Sequence, residues 1–299
     1  MDISAEMNRF SIRDIENLTG IKAHTLRIWE QRYGILQPKR TPTNIRYYDA
    51  LDLKTALRIS LLNQYGYKIS RIHRMSDEEM NNLIGKINDS EFRLQLLVNE
   101  LLEATLAIDI EHFEELVDLY LKKFGIEQTI EQLVFNFLEK IGIMWMTDRI
   151  FPAQEHLISN VIYRKMALAI EHLPRQNALS TPSFLLFLPE GEIHDIGLMY
   201  INYLLKKQKR RTIYLGPNSP FDDVKLVHDT KKPDYMYVHL TAVGSEFDCA
   251  KYLHKLSDTF PATTILVSGG MLKLNRVSPK PNLKFLHTLD EARKFFASI

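Results

Sequence analysis

Hydrophobic positions change their period along this chain, and the changes divide it. Residues 10–20 (FSIRDIENLTG) have helical spacing and close on a glycine turn. Residues 23–33 (AHTLRIWEQRY) form a second helical block, with Leu26, Trp29 and Tyr33 on one side. A turn-rich basic stretch follows from Gln37 to Asn44, and then a β-prone piece, Ile45-Arg46-Tyr47-Tyr48. Asp49 is a candidate N-cap for a helix over 49–62, and a short helix is expected around 68–75. Residues 76–91 are polar and irregular and read as a linker. From 92 to about 174 the helical period is sustained, predicting helices 92–107, 109–123, 127–143 and 153–173, with breaks at Phe124-Gly125 and around Phe151-Pro152. Four antiparallel helices with short loops make a bundle.

Past Pro182 the period becomes that of buried strands. SFLLFL (183–188), TIYL (212–215), YMYVHL (235–240), TTILVS (263–268) and KFL (284–286) are apolar runs. Helical stretches separate them at 194–208, 220–231, 245–258 and 289–298. Strands alternating with helices predict a parallel sheet covered on both faces, of the flavodoxin-like (Rossmann-type) kind, with ligands beyond the carboxyl ends of its strands. The expected class is therefore multi-domain α and α/β: a winged helix-turn-helix over 1–78, a four-helix bundle over 79–178 and an α/β domain over 179–299.

The overall composition, 45% hydrophobic and 25% charged, is that of a soluble protein, and no apolar run approaches the ~20 residues that span a bilayer. The N-terminus has no secretory pattern, and one cysteine, Cys249, excludes an internal disulfide framework and a multi-cysteine zinc site. A cytoplasmic protein with no membrane partner is expected. Charge changes the picture more. Residues 21–75 hold eleven basic and three acidic side chains, net +8, whereas residues 79–180 hold nine and sixteen, net −7. The first segment is suited to a polyanion, which it binds by releasing counterions; the second is not.

The basic segment carries Thr19-Gly20-Ile21, Thr25-Leu26-Arg27-Ile28-Trp29-Glu30, Arg32-Tyr33-Gly34, Pro38-Lys39-Arg40 and Arg46-Tyr47-Tyr48. In this order and spacing, over about forty residues, it closely resembles the MerR family of transcriptional regulators. A recognition helix offers its N-terminal residues to base edges in the major groove, here His24, Thr25 and Arg27. Arg32, Arg40, Arg46 and Tyr47 are candidates for phosphate contacts, and Trp29 is core. The resemblance implies double-stranded promoter DNA as partner, pseudo-palindromic sites and a self-associating protein.

After the first predicted strand comes Pro189-Glu190-Gly191-Glu192-Ile193-His194-Asp195-Ile196-Gly197. An imidazole at this edge can ligate a metal, with the Glu192 carboxylate orienting its other nitrogen; a helix-start or surface histidine is the plainer alternative. Gly197 would let a large planar ligand approach the backbone, and Ser268-Gly269-Gly270 ends the fourth strand without bulk. Glu192-x-His194-x-x-Gly197 followed by Gly269-Gly270 is similar to the cobalamin-binding domain of methionine synthase and its relatives. That resemblance implies His194 beneath cobalt in place of the cofactor's own base, with adenosyl- or methylcobalamin bound. Where those proteins have Ser-x-Leu, this chain has His239-Leu240-Thr241, an imidazole that crowds a buried nucleotide tail, leaving Thr241 and Ser245 as nearby hydroxyls. Trp145, nine residues and then Glu155-His156 resemble the CarH/LitR-type light-dependent repressors. There the helical layer caps cobalamin and these side chains pack on the adenosyl group. Met146 stands where those photoreceptors have a second cobalt-capturing histidine.

The expected protein is a regulator, not an enzyme, in which cobalamin controls homodimer or tetramer formation and DNA affinity, with light as a further input. The alternative is a MerR-type regulator whose sensor has lost the cofactor and answers to another ligand or a protein partner. A methyl-carrying corrinoid enzyme is the third reading, and no second catalytic domain supports it.

Overall fold

The computed structural model describes residues 8–174, 182–244, 246–273 and 276–299. They pack as two compact units, one running to Val161 and the other starting at Ile162. The chain is largely helical, with one five-stranded sheet.

In the first unit, α1 (Ile12–Thr19) starts on a capping box. The Ser11 hydroxyl accepts from the Asp14 amide, and the Asp14 carboxylate accepts from the Ser11 amide. The helix ends at Gly20, whose φ of 74° is open to glycine at no steric cost. α2 (Ala23–Tyr33) follows after a tight turn. The basic stretch holds an antiparallel ribbon, β1 (Lys39–Arg40) with β2 (Arg46–Tyr47). α3 (Ala50–Gln64) begins on a second capping box, between Asp49 and Asp52, and α4 (Ile69–Ile72) is a single turn. The segment expected as a linker contains a helix instead, α5 (Asp77–Lys86), started by a third capping box between Ser76 and Glu79. It buries Ile84 alone, so a composition-based reading sees only its polar surface.

α6 (Ser90–Ala107), α7 (Ile110–Gln128), a π-helical turn (Thr129–Val134), α8 (Phe135–Met146) and α9 (Pro152–Glu171) make up the helical segment. The break anticipated at Phe124-Gly125 is a kink inside α7, where Gly125 has φ 78° and ψ 171°. Phe10, Ile15, Leu18 and Leu26 share one apolar cluster with Leu101, Leu102, Phe113 and Phe137. The first helices therefore have no separate core. Polar ties reinforce the seam: Arg149 Nε donates to Asp14 Oδ2 at 2.6 Å, and Lys54 Nζ lies 2.6 Å from Glu103 Oε2.

In the second unit the strands are β3 (Ser183–Pro189), β4 (Arg211–Ser219), β5 (Tyr235–His239), β6 (Thr264–Ser268) and β7 (Leu283–Phe285). Between and after them lie α10 (Ile196–Lys207), α11 (Phe221–Lys231), α12 (Cys249–Thr259) and α13 (Leu289–Ala297). All pairings are parallel, in the order β4-β3-β5-β6-β7. β3 is buried along its whole length, as its uninterrupted apolar sequence requires. The strand order switches sides between β3 and β5, the position at which sheets of this kind have their ligand crevice. No described helix is long and apolar enough to cross a membrane.

The Asp14 carboxylate is almost fully buried, and it serves both the start of α1 and Arg149. Asp14→Ala is expected to destabilise the protein by about 2 kcal/mol, combining a lost cap with a broken ion pair. A shift of the urea midpoint, smaller when Arg149→Ala is already present, checks this.

Candidate functional site

α2 presents His24, Arg27 and Arg32 to solvent, with Thr25 half-buried and Leu26 turned into the core. Thr25 Oγ1 lies 3.3 Å from His24 Nε2. In the ribbon, Arg40 Nη1 donates to Asn44 Oδ1 at 2.8 Å and braces the turn. Arg46 pairs with Glu30 of α2 at 3.1 Å, and Glu30 also accepts from the Tyr48 hydroxyl. The ribbon is thereby fixed to the second helix, with the Arg46 guanidinium still partly exposed. Tyr47 is half-buried under the Arg9 guanidinium, 4.9 Å from its ring centre. Sequence reasoning overlooked Arg9 and also Arg71 and Arg74, which line a surface hollow with Ser70, Met75 and Glu79. The run of basic residues from Lys68 to Arg74 was the available signal.

At the sheet edge, the loop after β3 carries Glu192, which is completely buried. Its Oε1 accepts from the His194 amide at 3.0 Å and from His194 Nδ1 at 2.7 Å. Its Oε2 accepts from the amides of Thr241 (2.9 Å) and Ala242 (2.7 Å), just past β5. Burial pushes this carboxyl up, and the donors overcome it, first the His194 ring and amide and then the two loop amides, holding it at about 2. An ionised acceptor makes Nδ1 the protonated nitrogen and leaves the lone pair on Nε2, the arrangement a metal-ligating histidine needs. The His194 side chain is 40% exposed. Among the described residues no three His, Cys, Asp or Glu side chains gather to hold an ion. A single oriented imidazole suits a metal whose remaining ligands come with it, as in a macrocycle.

Other residues of this constellation are placed differently from expectation. Thr241 takes part through its amide, with its side chain exposed. Ser245 lies outside the described residues. Gly197 opens α10, but its bare face is already covered: a Cβ there would lie 2.4 Å from His239 Nε2. His239 Nδ1 is 2.7 Å from Ser268 Oγ, to which the buried Tyr237 hydroxyl donates at 2.7 Å. Burial lowers the His239 imidazole to about 4, so it is neutral at pH 7. Gly269 has φ 111°, and a Cβ there would meet the Leu240 carbonyl oxygen at 2.1 Å, so it serves strand-end packing. Gly270 opens a 3-10 turn. Asp195, also buried, accepts from the Tyr214 hydroxyl at 2.8 Å.

In the first unit Trp145 is 46% and Met146 78% exposed at the end of α8. Glu155 Oε1 accepts from Ser159 Oγ at 2.5 Å, and its Oε2 lies 3.2 Å from Nδ1 of the exposed His156.

Residues 10–79 match the MerR HTH family regulatory protein, and residues 97–170 match the B12 binding domain. The chain thus joins a segment similar to MerR-type regulators to a segment similar to B12-binding domains. It is homologous to the HTH-type transcriptional repressor CarH of Myxococcus xanthus, 24% identical over 271 residues that cover 87% of this chain and 88% of that protein. It is likewise homologous to the repressor CarA of the same organism, 26% identical over 215 residues, 70% of this chain and 68% of that protein. Both relatives are transcriptional repressors. The Methanosarcina barkeri monomethylamine corrinoid protein has a similar fold, with a TM-score of 0.50 at 15% identity, over 69% of this chain and 99% of that one.

The donor set of the Glu192–His194 pair fits a corrinoid, and the ring of His239 packs on Gly197 beside it. Glu192→Gln is expected to cost about 2–3 kcal/mol of stability at pH 7, since an amide cannot accept from four donors. Because the folded carboxyl titrates at about 2 and the unfolded one near 4.5, the wild-type advantage is present above pH 4.5 and lost as pH falls towards 2. Urea unfolding of both proteins at pH 7 and near pH 3 reads the narrowing gap.

Proposed function

We propose that this protein is a corrinoid-responsive transcriptional regulator that reads promoter DNA as a homo-oligomer. The observation that carries the reading is the Glu192–His194 pair. A carboxylate locked by the Thr241 and Ala242 amides presents an imidazole of fixed tautomer at the ligand edge of the sheet. A bound corrinoid supplies a metal with one axial position for an imidazole and a large planar surface. We assign His194 to the metal and Glu192 to orienting it. Trp145, Glu155 and His156 are the ligand-contacting residues of the helical segment. Ligand control requires that the corrinoid bind one assembly state better than another, which then shifts DNA affinity through self-association. Met146, a thioether in place of imidazole, favours control by ligand occupancy over control by light. The DNA-reading assignment stays with His24, Thr25 and Arg27 for bases and with Arg32, Arg40, Arg46 and Tyr47 for phosphates.

A second reading is favoured by one observation, the His239 ring against Gly197. In it the crevice has lost the cofactor and serves another small molecule or a protein partner.

The deciding experiment incubates the full chain with adenosylcobalamin and with methylcobalamin in the dark. Comigration on gel filtration, a changed visible spectrum and an altered oligomeric state are expected, and His194→Ala is expected to remove the spectral change. No spectral change with either compound would sink the first reading and leave the second.

For the DNA head, Arg27→Ala is expected to cost about 1–3 kcal/mol and relax base preference, whereas Arg32→Ala weakens all sequences alike and lowers the salt slope by about 1. Gel shifts at several salt concentrations separate the two.

A further inference from the structure

We infer that the crevice of the α/β unit receives a corrinoid whose nucleotide arm stays outside the protein, and that His239 is the residue that excludes the arm. This rests on the corrinoid reading above.

The argument begins with coordination. If an imidazole of the protein takes the lower axial position, the cofactor's own base must leave that face. The arm that carries the base then lies on the same side as His194, directed towards the sheet. The space available there is the crevice between the loop after β3 and the loop after β5, where the strand order reverses. Its inner wall is the first turn of α10, which Gly197 leaves without a side chain.

In this chain the space is filled. The His239 ring spans from Gly197 to Ser268, with Nε2, Cδ2 and Cε1 at 2.4, 2.8 and 3.0 Å from the position of a Cβ at residue 197. His239 and Ser268 are register partners on β5 and β6, so the sheet itself sets their separation. The ring is held by a chain of hydrogen bonds in which Tyr237 donates to Ser268 and the Ser268 hydroxyl bonds to Nδ1. Swinging it away would break the last bond and leave the buried Ser268 hydroxyl short of a partner. Driving an arm in beside it would overpack the site. The rim is not blocked in this way, since Glu192 draws its donors from the loop backbone and His194 is partly exposed. The crevice is thus built to accept a planar metal centre at its mouth and nothing threaded beneath it.

The test titrates the full chain with aquacobalamin and with diaquacobinamide, the same ring without its nucleotide arm, and follows the visible spectrum. The native protein is expected to bind cobinamide at least as tightly as cobalamin. His239→Ser, which frees the face of Gly197, is expected to move the preference towards cobalamin by about tenfold or more. Ser268→Ala keeps the ring but removes its anchor and is expected to move the preference in the same direction by less. Tighter binding of cobalamin than of cobinamide by the native protein overturns the inference and leaves the corrinoid reading standing. Absence of a spectral change with both probes overturns the corrinoid reading, and the inference falls with it.

Discussion

A carboxylate sealed from water must have its acceptor sites occupied by donors if it is to stay charged. Glu192 meets that condition with four donors, and the geometry of the ligand edge follows from how it does so. Two donors come from its own loop and two from the loop after β5, so one side chain joins the two loops that bound the crevice. Its charge fixes the tautomer of His194, and its burial fixes the position. The imidazole is therefore placed by the sheet and not by the conformational preferences of an exposed loop.

The same edge holds a second imidazole with the opposite role. His194 is oriented by a carboxylate and faces outward in part; His239 is oriented by a hydroxyl and faces a glycine. Both rings have their Nδ1 engaged, yet the partner decides the outcome. An anion makes Nδ1 the donor and leaves Nε2 basic, whereas the Ser268 hydroxyl, itself supplied by Tyr237, ties the other ring into the packing beside Gly197. A ring oriented by an anion and a ring held for packing are thus told apart by what touches Nδ1.

Much of the fold was legible because its strands are continuous apolar runs and its helices have strong caps. SFLLFL became β3, YMYVHL β5 and TTILVS β6 with ends displaced by a residue or so. β4 runs well past TIYL, to Ser219, because an edge strand pairs by backbone on one side and its polar end carries no hydrophobic signal. α5 was missed for a related reason: the Ser76–Glu79 capping pattern is local and readable, but a helix burying one residue leaves no periodic stripe. At the candidate site, Glu192 and His194 were readable because they sit two residues apart. The amides of Thr241 and Ala242 lie 49 and 50 residues away, and a backbone donor leaves no trace in residue identity. His239 was visible as a departure, but nothing in the sequence could say that its ring would rest on Gly197.

Asp14 Oδ2 accepts from both the Ser11 amide and Arg149 Nε, residues on either side of a gap of more than a hundred positions in the chain. Arg149 sits in the turn directly after α8, four residues beyond the exposed Trp145, with its amide bonded to the Met144 carbonyl. The end of α8 and the beginning of α1 consequently share a single oxygen atom as their fulcrum. A tilt of that turn draws on the same lone pairs that start the first helix of the DNA-reading head, so neither can slacken while the other stays taut.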